Sequence, residues 1–121
     1  MYKILPRSNG PVLGVEISGK LGITQENELT EKADKLIAEH DKISILVVLG
    51  DEVSVSFKAA ASDIKWMLSH MGHLRKVAIV ADSKVLAALV AVDSLFAKAV
   101  GIEEMHYSTE EIETAWHWIE S

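Results

Sequence analysis

Hydrophobic and polar positions along this chain repeat with two different periods, and the changes of period mark out its elements. The hub is a nearly unbroken apolar run at residues 43–50, Ile-Ser-Ile-Leu-Val-Val-Leu-Gly, short, rich in β-branched residues and stopped by Gly-Asp. Such a run predicts a strand covered on both faces of a sheet. Residues 76–81 form a second one, with Val77 and Ile79 on one side and Ala78 and Val80 on the other. Residues 2–5 and 12–18 read as an antiparallel hairpin. Asn9-Gly10 between them is a pair that tolerates the positive φ angles of a type I′ turn, and Pro6 and Pro11 fall near the strand ends. In the second hairpin strand Leu13, Val15 and Ile17 share one face and Gly14, Glu16 and Ser18 the other. Part of one sheet face is therefore expected to be wet or covered by something polar. Residues 103–107 make a short last strand.

The intervening segments have a helical period. Thr24 is the expected N-cap of a helix over 25–40, whose stripe is Leu29, Ala33, Leu36 and Ile37. Glu28–Lys32 and Glu31–Lys35 are i,i+4 pairs on its solvated side. Residues 57–71 form the next helix, with Phe57, Ala60, Ala61, Ile64, Leu68 and Met71 inward, and Gly72 supplies its stop. Residues 84–100 form a third. Its stretch 85–92 is apolar all the way round and needs cover on more than one side. Ser108 and Glu111 read as a capping box that opens the last helix, with Ile112, Ala115, Trp116 and Ile119 inward and Trp118 off the stripe. The order β-β-α-β-α-β-α-β-α, with near-obligatory right-handed crossovers, predicts one α/β domain over 1–121. Its sheet has five strands and is mixed, an N-terminal antiparallel hairpin followed by parallel strands, with four helices.

Composition narrows the function classes. The 121 residues favour a single domain. There is no cysteine, which removes disulfide and thiol chemistry. The net charge of −6, with basic residues scattered, argues against nucleic acid and against a polybasic membrane contact. No apolar run reaches the roughly 18–20 residues of a membrane span, and the start shows no signal-peptide pattern. A cytoplasmic protein is expected.

Catalytic signatures are missing from the pattern. The glycines form neither a dinucleotide fingerprint nor a P-loop, and no nucleophile elbow is present. His70 and His73 have an i,i+3 spacing that suits a metal on a helix, with Asp63 as a third ligand, but Gly72 falls between them and breaks the helix. No metal or cofactor is expected. Trp66 projects off its helix stripe near Asp63 and His70. A partner surface or a neighbouring helix of the same chain can cover it. The 85–92 helix leaves the sharpest choice: a contact between copies, a pocket for a lipid-like ligand with Leu95 and Phe96 deeper along it, a membrane contact, or burial inside the monomer. Leu89, Val92 and Phe96 are its candidate contact residues.

With this order of elements, the chain resembles the SpoIIAA-like family, which shares the fold of STAS domains, the anti-sigma-factor antagonists. The residues that carry the resemblance are Val15-Glu-Ile-Ser-Gly-Lys-Leu21, the 43–49 strand, Asp63-Ile-Lys-Trp66 with His70, Lys76-Val-Ala-Ile-Val-Ala-Asp82 and Ala115-Trp-His-Trp-Ile119. The resemblance implies a β/α superhelix with consecutive strands adjacent. It also implies a non-catalytic, regulatory protein–protein interaction module, switched by phosphorylation of a serine after the central strand. Asp51, Ser54 and Ser56 occupy the matching loop, without the Asp-Ser-Ser-Gly pattern of STAS proteins. The fold further resembles lipid-binding CRAL-TRIO domains, which implies the competing class, a carrier of a small apolar ligand. The expected partners are an unidentified protein and a second copy of the chain.

Overall fold

The structure is a computed structural model that describes residues 2–50, 54–55, 62, 65–66, 69–82 and 103–121. In chain order its strands are β1 (Tyr2–Ile4), β2 (Val12–Ile17), β3 (Lys20–Leu21), β4 (Ile43–Leu49), β5 (Ser54–Val55), β6 (Leu74–Val80) and β7 (Glu103–Tyr107). Its α-helices are α1 (Ile23–His40) and α2 (Ile112–Glu120). Two α-helices, not the four expected, are therefore defined among the described residues. The spans 57–71 and 84–100 fall largely outside them. Within the first span, Ser62, Lys65, Trp66, Ser69 and His70 have helical backbone, and a 3₁₀ turn at Met71–His73 leads into β6.

The sheet has the expected order and sense. Its strands run β1-β2-β4-β6-β7; β1 is antiparallel to β2, and every later pair is parallel. The apolar run thus occupies the middle of the sheet, and alternation sends its side chains to two cores. Ile43 and Leu46 are both fully buried, on opposite faces. On one face Leu13, Ala33, Ile43, Leu74 and Val77 pack beneath α1, joined by Leu36, Ile37 and Trp66. Val15, Ile17 and Leu21 continue that layer with Leu29. On the other face Leu46, Ala78, Val80 and Tyr107 meet Ala115, Trp116 and Ile119 of α2.

The hairpin turn differs from the expected type. Asn9 and Val12 exchange both backbone hydrogen bonds, each 3.1 Å, so Gly10 and Pro11 are the central residues. Gly10 has φ +56°, whereas the proline ring fixes a negative φ. That is the II′ arrangement, with glycine first; the proline is what rules out I′. The polar side of β2 is not wet at Gly14 either. Trp116 covers it so closely that any Cβ there would run into the indole ring.

α1 starts earlier than expected. Gly22, not Thr24, is the N-cap, in extended conformation. It has no side chain to accept a backbone N–H, so only half of a capping box forms: the Gly22 N–H donates to Gln25 Oε1 at 3.3 Å. Glu26 in this first turn is buried, where a carboxylate suits the helix dipole. At the other end Asp41 takes φ +70° and donates its N–H to the Ile37 carbonyl. β3 and β5 were not expected as strands. They form a separate parallel pair, Lys20 beside Ser54 and Leu21 beside Val55.

Candidate functional site

Trp66 and His70 lie one helical turn apart, and that spacing puts their rings on one side of their segment. The rings stack, with centroids 4.5 Å apart and planes 19° from parallel. The indole Nε1–H donates to Asp34 Oδ1 at 2.9 Å. His70 Nε2 lies 3.1 Å from the same oxygen, and His70 Nδ1 lies 2.8 Å from the Trp66 carbonyl oxygen. Asp34 sits on the α1 face that looks solvated in sequence, and nothing in its local pattern marks it. Only the fold brings it to Trp66. A neighbouring helix of the same chain thus covers part of Trp66, which stays half-buried against the core beneath α1.

Ser69 Oγ lies 3.1 Å from His70 Nδ1, so serine, histidine and aspartate follow one another in space. The closer partner of Nδ1 is the Trp66 carbonyl, a pure acceptor that competes with Ser69 for this nitrogen. The Ser69 hydroxyl is itself turned to the Lys65 and Trp66 carbonyls, each 3.0 Å away. That is the usual back-bonding of a helical serine.

His73 turns elsewhere. Its Nδ1 lies 2.7 Å from the Asp41 carbonyl oxygen and 3.5 Å from the Asp41 carboxylate. The two histidines of the i,i+3 pair therefore address separate aspartates, and no group of three potential metal ligands occurs among the described residues.

At the carboxyl end of β4, Ser54 has strand backbone beside Lys20. β2 and β4 pair up to Ile17 and Leu49. From there the chain takes three steps to Lys20 but five to Ser54. Asp51, Ser56, Asp63, Leu89, Val92 and Phe96 lie outside the described residues, as does the 85–92 stretch.

Displaced pKa values gather away from this region. The Arg7 guanidinium spans two glutamates of α2, with Nη1 to Glu113 at 2.9 Å and Nε and Nη2 to the two oxygens of Glu120 at 3.2 and 3.0 Å. It also lies over the Trp116 ring, 5.1 Å from the centroid. These bonds hold the Glu120 carboxyl below the usual range and push the Arg7 value up. Glu111 is lowered by the Ser108 backbone N–H and then by its hydroxyl, both donating to Oε1 at 3.0 Å. Burial, and then Glu111, raises Tyr107. Each of these groups is explained by an ion pair, a cap or burial.

An open groove of about 380 Å³ lies between the hairpin and α1. Ile4, Val12, Leu13 and Leu36 line it together with Lys32 and Lys35. Among the described residues no helix is long and apolar enough to cross a membrane.

Comparison with known proteins follows the same lines. The family model described as SpoIIAA-like matches residues 12–120. No curated protein matches the chain. Among solved structures, an uncharacterised protein of the DUF3478 family with a SpoIIAA-like fold, from Shewanella loihica PV-4, is similar at 23% identity and TM-score 0.71. The alignment covers 98% of this chain and 93% of that one. At that identity the likeness concerns the fold.

Proposed function

The chain belongs to the SpoIIAA-like family, and from that premise we propose that it is a non-catalytic protein–protein interaction module of the STAS type. In this reading it is regulatory, self-associating and cytoplasmic. The observation that carries the proposal is the Asp34–Trp66–His70 cluster. It holds a half-buried tryptophan in one orientation through a stack and an indole hydrogen bond. A fixed aromatic side chain loses little conformational freedom on binding, which is what a hot-spot anchor requires. The polar groups around it serve one another, which weighs against catalysis there.

The groove between the hairpin and α1 favours the second reading, a carrier of a small apolar ligand. Its volume is adequate. Its openness and its two lysines are poorly suited to enclosing an apolar molecule, so the interaction reading is preferred.

Native mass spectrometry of protein purified without denaturation tests both. A dimer or larger species without added mass is the expected result. A monomer with a few hundred daltons of bound material would replace this reading with the carrier, and a bare monomer would remove self-association from it.

A further inference from the structure

Both ring nitrogens of His70 face oxygen acceptors. Nδ1 is 2.8 Å from the Trp66 carbonyl, and Nε2 is 3.1 Å from an Asp34 carboxylate oxygen that also receives the Trp66 indole N–H. A neutral imidazole carries one N–H and one lone pair. Whichever tautomer it adopts, one lone pair points at another oxygen lone pair. Only the imidazolium satisfies both contacts, and its charge further favours the carboxylate and the face of the stacked indole. We propose that Asp34, Trp66 and His70 form a proton-operated latch that ties Trp66 and His70 to α1, closed with His70 protonated and loosened when it is neutral.

Few groups face the ring among the described residues. From α1 the charged group facing the ring is Asp34. From its own segment come the Trp66 carbonyl and the Ser69 hydroxyl, with Lys65 exposed. The core beneath Trp66 presents apolar side chains. His73, on the next turn, is engaged with Asp41. Loosening the latch would release the Asp34-bound end of the Trp66 ring and change how that ring is presented. This last consequence rests on reading Trp66 as a partner-facing anchor; the latch itself does not.

The test is hydrogen exchange of the Trp66 indole proton by NMR, alongside titration of the His70 ring resonances in the same sample. The protection factor, which corrects for intrinsic base catalysis, should fall at least about tenfold as His70 loses its proton, the equilibrium effect of one charge-assisted hydrogen bond. In His70→Gln the protection factor should be flat over the same range. Constant protection in the wild type while His70 titrates would overturn the latch, and that comparison needs no variant to fold. Loss of protection with unchanged assembly would uphold the latch and refute only its link to partner binding.

Discussion

Gly14 and Trp116 show how one residue can depend on another far along the chain. Gly14 lies in the middle of β2 with its missing side chain replaced by the indole ring. Replacing it by alanine forces the ring to move inside a core where Trp116 is 4% exposed. Overpacking of this kind costs about 1–3 kcal/mol, and the Gly14→Ala midpoint in urea should fall accordingly. Gly10 depends on conformation instead. A Cβ there meets nothing, yet φ +56° costs an L-residue about 1–2 kcal/mol. Gly10→Ala should therefore destabilise while leaving Trp116 fluorescence unchanged, and a shifted emission maximum would show that the turn had rearranged.

Among the elements, the contact between the β1–β2 loop and α2 is electrostatic at its rim and apolar beneath. Arg7 holds Glu113 and Glu120, and its own value is raised in return. The sign of the pH effect follows from the lowered carboxyls. The stability contributed by Glu120 and Glu111 is fully present above the ordinary glutamate value of about 4.3. It is lost as pH falls through their lower folded-state values. Urea midpoints measured from about pH 6 to pH 3 should drop on that acid limb, and Arg7→Ala should make the drop shallower by returning Glu120 toward its ordinary range. An unchanged acid limb would remove Arg7 as the cause. Because the pair is exposed, added salt should reduce the difference between Arg7→Ala and wild type.

The elements also show where sequence pattern is informative. Uninterrupted runs such as β4 and the clean α1 stripe are legible because burial alone specifies them. The II′ turn is not legible from Asn9-Gly10 because Pro11 overrides their local preference. β3 and β5 are two residues each and carry no periodicity. The site was half legible. Trp66 and His70 stand out by type and spacing, but Asp34 is one acid among several on α1 until the fold brings it to Trp66.

At the scale of the whole molecule, β4 belongs to both cores at once. Ile43 supports the α1 side and Leu46 the α2 side, each without solvent exposure. A defect on either face is therefore transmitted through one backbone. Leu46→Ala should cost about 2–5 kcal/mol. Its urea transition should remain a single step, with far-ultraviolet circular dichroism and tryptophan fluorescence superimposing. Separate transitions for the two probes would mean that the faces unfold independently.

The placement of α2 also bears on how the chain is made. Arg7 leaves the ribosome more than a hundred residues before its partner Glu120, and Gly14 is equally early relative to Trp116. During synthesis the sheet can pair and α1 can cover one face before α2, which packs on the other face among the described residues, has been made. Such a partly covered intermediate is prone to association. The last nine-residue helix thus completes the second core late in translation, so a chain stalled before residue 112 would leave Leu46, Ala78 and Val80 without Ala115, Trp116 and Ile119 and open to chaperones and proteases.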